Sequence, residues 1–382
     1  MDKTQVPLGS RPTSIDVLKQ RNIPELDGLR GLLSWWVVVC HVLQCAGYNQ
    51  SNLGRGFRIL VHGDYAVEVF IILSGFVIHK LWHDKREPFR IFITRRFLRL
   101  WPAYMVCLVG ALALRPCMAI ALAHPLGGDP NLATLDNELW ENEQKYLVAH
   151  FFAHLPMLHA AIPETILPSS SIAILSPAWS ISLEWQFYLV AMPLFWSLHR
   201  WKERAWVCFA CIAGIGWMFR YSPPFDDWFP MRAFLSQKLL LFGIGMASHE
   251  LWRALYGRSE NVGPAIIWIA GAVLALTLSL PLAIWVFVFA TILMPSSYTA
   301  KFLNSTLIQF LGRVSYSTYL GHMLVVYLIQ GVLFNIYPTI GKQAMLGSLA
   351  VLGTPLIVLL SVSLYFWVEK PAIALGRRLR TQ

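Results

Sequence analysis

Leu29-Arg30-Gly31-Leu32-Leu33-Ser34-Trp35-Trp36-Val37-Val38-Val39-Cys40-His41-Val42-Leu43-Gln44-Cys45-Ala46 is the stretch that decides the fold. Apart from Arg30 and His41 it carries no basic or acidic side chain, and it approaches the ~20 mainly apolar residues that a helix needs to cross a bilayer. Similar runs lie at about 67–82, 103–123, 183–198, 206–220, 233–251, 264–280, 282–295, 314–334 and 344–368. Across the chain of 382 residues, 56% of side chains are apolar, about 214 in all, and only 14% are charged. Soluble domains hold roughly 45–50% apolar and 25% charged residues. At ~20 residues per span the apolar set fills roughly ten crossings. The expected fold is therefore all-α, a polytopic integral membrane bundle of about ten transmembrane helices. Disorder, a coiled coil, a disulfide scaffold and a soluble enzyme are excluded on the same grounds.

Basic residues orient the bundle, because Lys and Arg collect in cytoplasmic loops. With ten spans and a cytosolic start, 21 of them fall inside and five outside. The inner set begins with Lys3, Arg11, Lys19, Arg21, then Lys85, Arg86, Arg90, Arg95, Arg96 and Arg99. It continues with Arg200, Lys202, Arg204, Arg253, Arg258, Lys301, Arg313, Lys370, Arg377, Arg378 and Arg380. The outer set is Arg55, Arg58, Lys145, Arg232 and Lys342. A crossing at 146–160 would push Arg200–Arg204 and Arg253–Arg258 outside, so this segment is expected in the outer interface or as a re-entrant turn. The chain divides into a cytosolic tail (1–28), a transmembrane domain (29–368) with a long outer loop at about 124–182, and a basic cytosolic tail (369–382). The first 28 residues hold four basic and four acidic side chains and no apolar core, which does not make a cleavable signal. No period of 20–50 residues and no inverted repeat is visible.

Ionisable groups within spans are costly and mark function by default. Arg30 and His41 stand 11 residues apart, which at 100° and 1.5 Å per residue puts them on one helix face about 16 Å apart. An arginine at the cytosolic mouth with an imidazole deep inside suits a long ligand that has an anionic head and a reactive far end. Arg96 and Arg99, at i and i+3 in Phe92-Ile93-Thr94-Arg95-Arg96-Phe97-Leu98-Arg99, offer forked guanidinium groups suited to phosphate. An interfacial helix resting on anionic lipid is the plainer account of the same pair. Glu68 and Glu184 lie near the outer ends of their spans, at a depth that His41 shares, and a histidine with a carboxylate partner makes a general-base pair. The alternative is a pair of buried acids that only tie helices together.

Six landmarks in order resemble one family. They are Leu26-Asp27-Gly28-Leu29-Arg30-Gly31 leading to His41, Ile72-Leu73-Ser74-Gly75-Phe76, and Arg96-x-x-Arg99-Leu-Trp-Pro-Ala-Tyr104. Trp179-Ser180 through Glu184 to Phe187-Tyr188, Leu311-Gly312-Arg313-Val314-Ser315-Tyr316 to Tyr319-Leu320-x-His322, and Glu369-Lys370-Pro371 complete the set. Spread over residues 26–371, they are similar to the acyltransferase 3 family of integral-membrane O-acyltransferases, in its fungal-type single-module form. The resemblance implies a ten-span acyl-CoA-dependent O-acyltransferase that moves an acetyl or short acyl group from acetyl-CoA, as co-substrate, to a hydroxyl. It implies Arg30 and His41 as the donor-site motif, Arg96 and Arg99 near the CoA head, Glu184 as an acidic site residue, and Tyr316 and His322 as further donor-site residues. Glu68 departs from the pattern, since many relatives carry an aspartate one position away or none. The fused extramembrane hydrolase-like domain of some bacterial relatives is not found, so the chain is expected to act alone. Fungal members suggest a lipophilic small-molecule acceptor of terpenoid type, with a glycan or lipid as the alternative. The expected setting is the endoplasmic reticulum or another endomembrane, with both termini cytosolic and membrane lipids around the bundle.

Other chemistries fit less well. His79-x-x-x-His83 and His150-x-x-x-His154 resemble fragments of a di-iron box, but such enzymes use about eight ligating histidines, commonly with an adjacent pair, and none of the 11 histidines here adjoins another. No metal is expected. His150, His154 and His159 read as the polar face of an interfacial helix or as part of an acceptor entrance. Ten spans with Arg115 and Lys238 inside also describe a transporter, although a Lys238 that snorkels to the outer surface is the cheaper account. The six cysteines, at 40, 45, 107, 117, 208 and 211, lie in or beside apolar runs and form no disulfide framework. Cys208 and Cys211 make a lone C-x-x-C without a second pair. Nucleic acid is not an expected partner, because the basic residues are spread over short segments rather than gathered on one soluble domain.

Overall fold

The computed structural model describes residues 22–124, 126, 130–220, 222–255 and 279–379, without the side chains of 130–136. Lys3, Arg11, Lys19, Arg21, Arg258 and Arg380 lie outside the described residues, as do the tail up to residue 21 and the apolar run at 264–280 up to residue 278. The described residues contain no strand. Nine of the ten apolar runs fall on helices: α1 (Pro24–Cys45), α2 (Gly63–Lys85), α3 (Phe89–Ala113), α4 (Trp179–Trp201), α5 (Glu203–Phe219), α6 (Leu235–Leu255), α7 (Leu280–Leu293), α8 (Thr306–Ile336) and α9 (Lys342–Arg377). Five of these, α1, α2, α3, α8 and α9, are long and apolar enough to cross a membrane.

Two boundaries differ from the sequence reading. The run expected at 103–123 begins earlier, at Phe89, so the arginine-bearing segment is the first part of a transmembrane-length helix. It ends at Ala113, and a separate helix, Arg115–Ala123, follows. Pro116 explains the break: a proline disfavours helical backbone in the residue before it but suits the first turn of a new helix. The 146–160 segment forms a short helix, Leu147–His154, and a turn at His159–Ala161. Trp101 Nε1 donates to the Leu155 carbonyl and the Ala160 amide to Ser182 Oγ, which ties this segment to α3 and α4.

Helices α1 and α8 form the axis of the bundle. They run parallel, since Gly31 meets Gly312 and ten residues further along both helices His41 meets His322. The glycines permit this approach: a Cβ on Gly31 would stand 2.7 Å from the Gly312 nitrogen, and one on Gly312 would stand 2.2 Å from the Asp27 carbonyl oxygen. Small residues at a membrane helix crossing let the backbones touch. The Gly31→Leu variant should therefore lose roughly 1–3 kcal/mol or more of stability through overpacking. Gly347, on α9, has open space where a Cβ would go. Thermal aggregation in detergent should show a large drop in midpoint for Gly31→Leu and none for Gly347→Ala.

Helix α2 turns back against α1, with the Gly63 amide donating to Cys40 Sγ at 3.3 Å, and α6 lies along α2. The main core joins side chains of α1 to α8, among them Leu33, Phe76, Tyr104, Phe187, Phe242, Trp285 and Leu320, all 4% exposed or less.

Candidate active site

Three adjoining cavities run through the bundle. The first is a vestibule whose lining includes Arg30, Arg95, Arg96, Arg99, Arg313 and Arg377, with Asp27 and Glu369 among them. Arg30, Arg96, Arg99, Ser315 and Tyr316 are shared with a second chamber whose other walls are mostly apolar. Val67 and Tyr319 are shared in turn with a third cavity, which His41 lines.

The arginines reach the vestibule from different helices and for different local reasons. Arg96 and Arg99 come from the first turns of α3, one helical step apart, and Arg30 from α1, where Asp27 stands 3.7 Å away at i−3. Arg95 is committed elsewhere: it pairs with Glu87 and donates to the carbonyls of Gly376 and Leu379. Among the described residues Arg96 and Arg99 enter no ion pair, and Arg96 Nε is buried with no hydrogen-bond partner. The Arg96 guanidinium lies 5.8 Å over the Phe92 ring and 6.0 Å over Tyr188. Guanidinium groups held unpaired by their surroundings form an anion site, because their donors remain available.

Glu184 belongs to this region. It accepts from Ser74 Oγ at 3.2 Å and from the Tyr188 hydroxyl, and it lines the second chamber with Arg30, Arg96 and Arg99. The expected contact between Glu184 and His41 does not form. Glu68 does not reach His41 either: its carboxylate takes Lys238 Nζ at 2.7 Å, so Lys238 is paired within the bundle and does not snorkel away. Tyr316 donates to the Leu100 carbonyl at 2.7 Å, which fastens α8 to α3 where the vestibule meets the second chamber.

The partner of His41 is His322. Their rings stack at 12° with centroids 5.0 Å apart, and His41 Nδ1 stands 2.8 Å from His322 Nε2. The proton positions follow from the other contacts. His322 Nδ1 faces the carbonyls of Tyr319, at 2.7 Å, and Thr318, at 3.2 Å. Carbonyls only accept, so His322 Nδ1 carries a proton and, in the neutral ring, Nε2 carries a lone pair. That lone pair accepts from His41 Nδ1–H, which leaves His41 Nε2 unprotonated. A base oriented by a fixed neighbour is the arrangement that general-base chemistry needs.

Three further groups stand in the quoted motifs, where the sequence assigns them no individual role. Tyr319, three residues before His322 and so on the same face, bonds to Ser180 Oγ at 2.7 Å and donates to the Pro177 carbonyl at 3.1 Å, in the wall between the second and third cavities. Glu369 is 4% exposed, accepts from Ser317 Oγ and faces the vestibule from a widened helical turn, Tyr365–Glu369. Tyr188 holds Glu184. His150, His154 and His159 are fully buried rather than set on a polar face, with the His154 and His159 rings stacked 3.9 Å apart beside Tyr104.

His322 should act as a positioning residue. Its alanine variant is expected to lose about tenfold in turnover, the worth of one well-placed hydrogen bond. Glutamine, whose carbonyl also accepts from His41, should recover part of that loss, and the donor KM should stay unchanged in both.

The described residues thus form a helical bundle in which buried arginines line one cavity and a paired imidazole lines another. The chain belongs to the acyltransferase 3 family, whose acyltransferase domain matches residues 23–366. Among curated proteins it is similar to the acyltransferase MdmB of Streptomyces mycarofaciens, at 28% identity over 61% of this chain and 52% of that one. It is also similar to the peptidoglycan O-acetyltransferase OatA of Listeria monocytogenes, at 24% identity over 85% of this chain and 52% of that one. The chain thus spans about half the length of these relatives. No solved structure matches it.

Proposed function

We propose that the protein is an O-acetyltransferase that carries an acetyl, or another short acyl group, from acyl-CoA to a hydroxyl of a lipophilic, terpenoid-type small molecule. The observation that carries this reading is the series of cavities from Arg30, Arg96 and Arg99 to the His41–His322 pair. In it the phosphates of CoA sit among the vestibule arginines and the pantetheine arm runs through the second chamber toward His41. The acceptor hydroxyl enters the third cavity. Its proton passes to His41 Nε2 as its oxygen attacks the thioester carbonyl, and the imidazolium returns the proton to the departing CoA thiolate. Glu184 helps to set the charge of the donor passage, and Glu68 braces α2 against α6 through Lys238.

The reading includes ten spans with both termini cytosolic, in the endoplasmic reticulum or another endomembrane. Helix direction supports the count: in that order α1 and α8 are the first and ninth crossings and must run parallel, as their Gly31–Gly312 and His41–His322 contacts require. The arginine vestibule then opens to the cytosol, where acyl-CoA is found.

The acceptor class is tested by deleting the gene and comparing lipophilic extracts by mass. The reading expects a metabolite lighter by one acetyl group to accumulate in the deletion strain. Loss of acetyl from the glycan or phospholipid fraction, with lipophilic metabolites unchanged, would transfer the activity to those acceptors, glycan acetylation being what the name of the Listeria relative describes.

A further inference from the structure

At the ends of α2 and α6 four possible metal ligands converge: His79, His83, His249 and Glu250. The convergence comes from a second glycine crossing. A Cβ on Gly75 would fall 2.2 Å from the Phe242 carbonyl oxygen, and one on Gly245 would fall 1.9 Å from that of Ile72, so the two helices touch backbone to backbone. His79 and His249 each follow one of these glycines by four residues, a single turn on the same helix face. Close crossing therefore brings the two imidazoles together, and one more turn of α2 adds His83 while the next residue of α6 adds Glu250.

The spacing of the ligand atoms is informative. His79 Nδ1 and His249 Nδ1 are 3.2 Å apart, His83 Nε2 and Glu250 Oε1 are 2.9 Å apart, and His79 Nδ1 and Glu250 Oε1 are 3.7 Å apart. All four atoms lie within 4.8 Å of one another. A tetrahedral zinc site with bonds near 2.0–2.1 Å has ligand–ligand edges of about 3.3 Å. Small side-chain adjustments thus bring all four onto one ion.

The surroundings resemble the outer shell of such a site. His79 and His249 are 3% and 1% exposed and packed among Phe76, Phe195, Trp206 and Trp252. Arg253 Nη1 donates to both oxygens of the Glu250 carboxylate, at 3.1 Å to Oε2 and 3.4 Å to Oε1. Metal-binding carboxylates are oriented by partners of this kind. His83 and Glu250 are 18% and 39% exposed, which leaves an ion a path of entry. Lys80, the nearest ammonium on α2, is already paired with Asp84.

We propose that His79, His83, His249 and Glu250 form a binding site for a first-row divalent metal ion, zinc by its geometry, that clamps α2 to α6. Four protein ligands leave no open position, so the ion is structural rather than catalytic. The site is independent of the passage that holds His41, and the proposal does not rest on the acyl-transfer reading.

The test uses the full chain, purified in detergent on a tag without histidine, loaded with Zn²⁺ and dialysed. Metal analysis should find about one zinc per chain, with a thermal midpoint that rises as zinc is added. The variants are His83→Gln and Glu250→Gln, at the two partly exposed positions. Each should weaken zinc binding at least ~10- to 100-fold, since loss of an outer-shell partner alone has that effect. His199→Gln, at an exposed histidine of α4, should bind as the wild type does. With Co²⁺ in place of zinc, the wild type should show the visible absorption of a tetrahedral site and the two ligand variants should not. No retained metal in the wild type, or equal retention in wild type and both ligand variants, would overturn the proposal and leave a hydrogen-bonded histidine cluster.

Discussion

His41→Ala should lower kcat by ~10²–10⁴-fold, the usual contribution of a positioned base, while the protein stays folded in the membrane and still binds acyl-CoA. An alcohol has a pKa far above 7 and must lose its proton as it attacks a thioester. His41 is the only side chain of α1 suited to take it near neutrality. Its Nδ1 is held at 2.8 Å by His322, so Nε2 is available, and among the described residues no serine or cysteine stands at a nucleophile elbow. Donor binding should survive because Arg30 lies about 16 Å away along the same helix and Arg96 and Arg99 stand on another helix. Single-turnover measurements with acetyl-CoA, alongside equilibrium binding of the same ligand, check both halves. Near-normal turnover would reduce His41 to a packing residue. An acetyl group trapped on the wild-type protein without acceptor would replace direct transfer by a two-step route through an acyl-imidazole.

Arg96→Ala should raise the KM for acetyl-CoA roughly 10- to 100-fold, the worth of one charged hydrogen bond, with little change in kcat or in the KM for the acceptor. This pattern is the signature of lost uniform binding, since the arginine grips a part of the donor that does not react. Arg96 has a buried nitrogen without a partner and enters no ion pair among the described residues. Lysine at the same position restores the charge but not the fork and should give an intermediate KM. Equal effects on both substrates would mean that Arg96 merely shapes α3.

Much of this arrangement is legible in the sequence alone. The 11-residue spacing of Arg30 and His41 is a property of one helix, and Arg96 with Arg99 of another, so helical geometry alone places each pair. Contacts between helices are different. His41 and His322 are 281 residues apart, and nothing in either run says which face meets which. The sequence accordingly offers the two acids expected at its depth, Glu184 and Glu68, as partners for His41. Glu184 instead turns to Ser74 and Tyr188 beside the arginines, and Glu68 to Lys238. Depth in the membrane was a poor guide because side chains at one level can face separate cavities. The glycines of the two helix crossings stand in quoted motifs at Gly31, Gly75 and Gly312, but their use as contact points appears only when both helices are in place. His79 and His83 alone make only a fragment of a di-iron box, and it is α6, with His249 and Glu250, that gives them company.

The most direct test of acyl transfer is CoA thiol release by the purified protein. Wild type and His41→Ala would each be supplied with acetyl-CoA, with and without the alcohol-containing lipophilic extract of the deletion cells. Thiol release by the wild type alone, and only when the extract is present, is the predicted result. Release that does not depend on the extract, or that His41→Ala matches, would contradict transfer to a hydroxyl through His41.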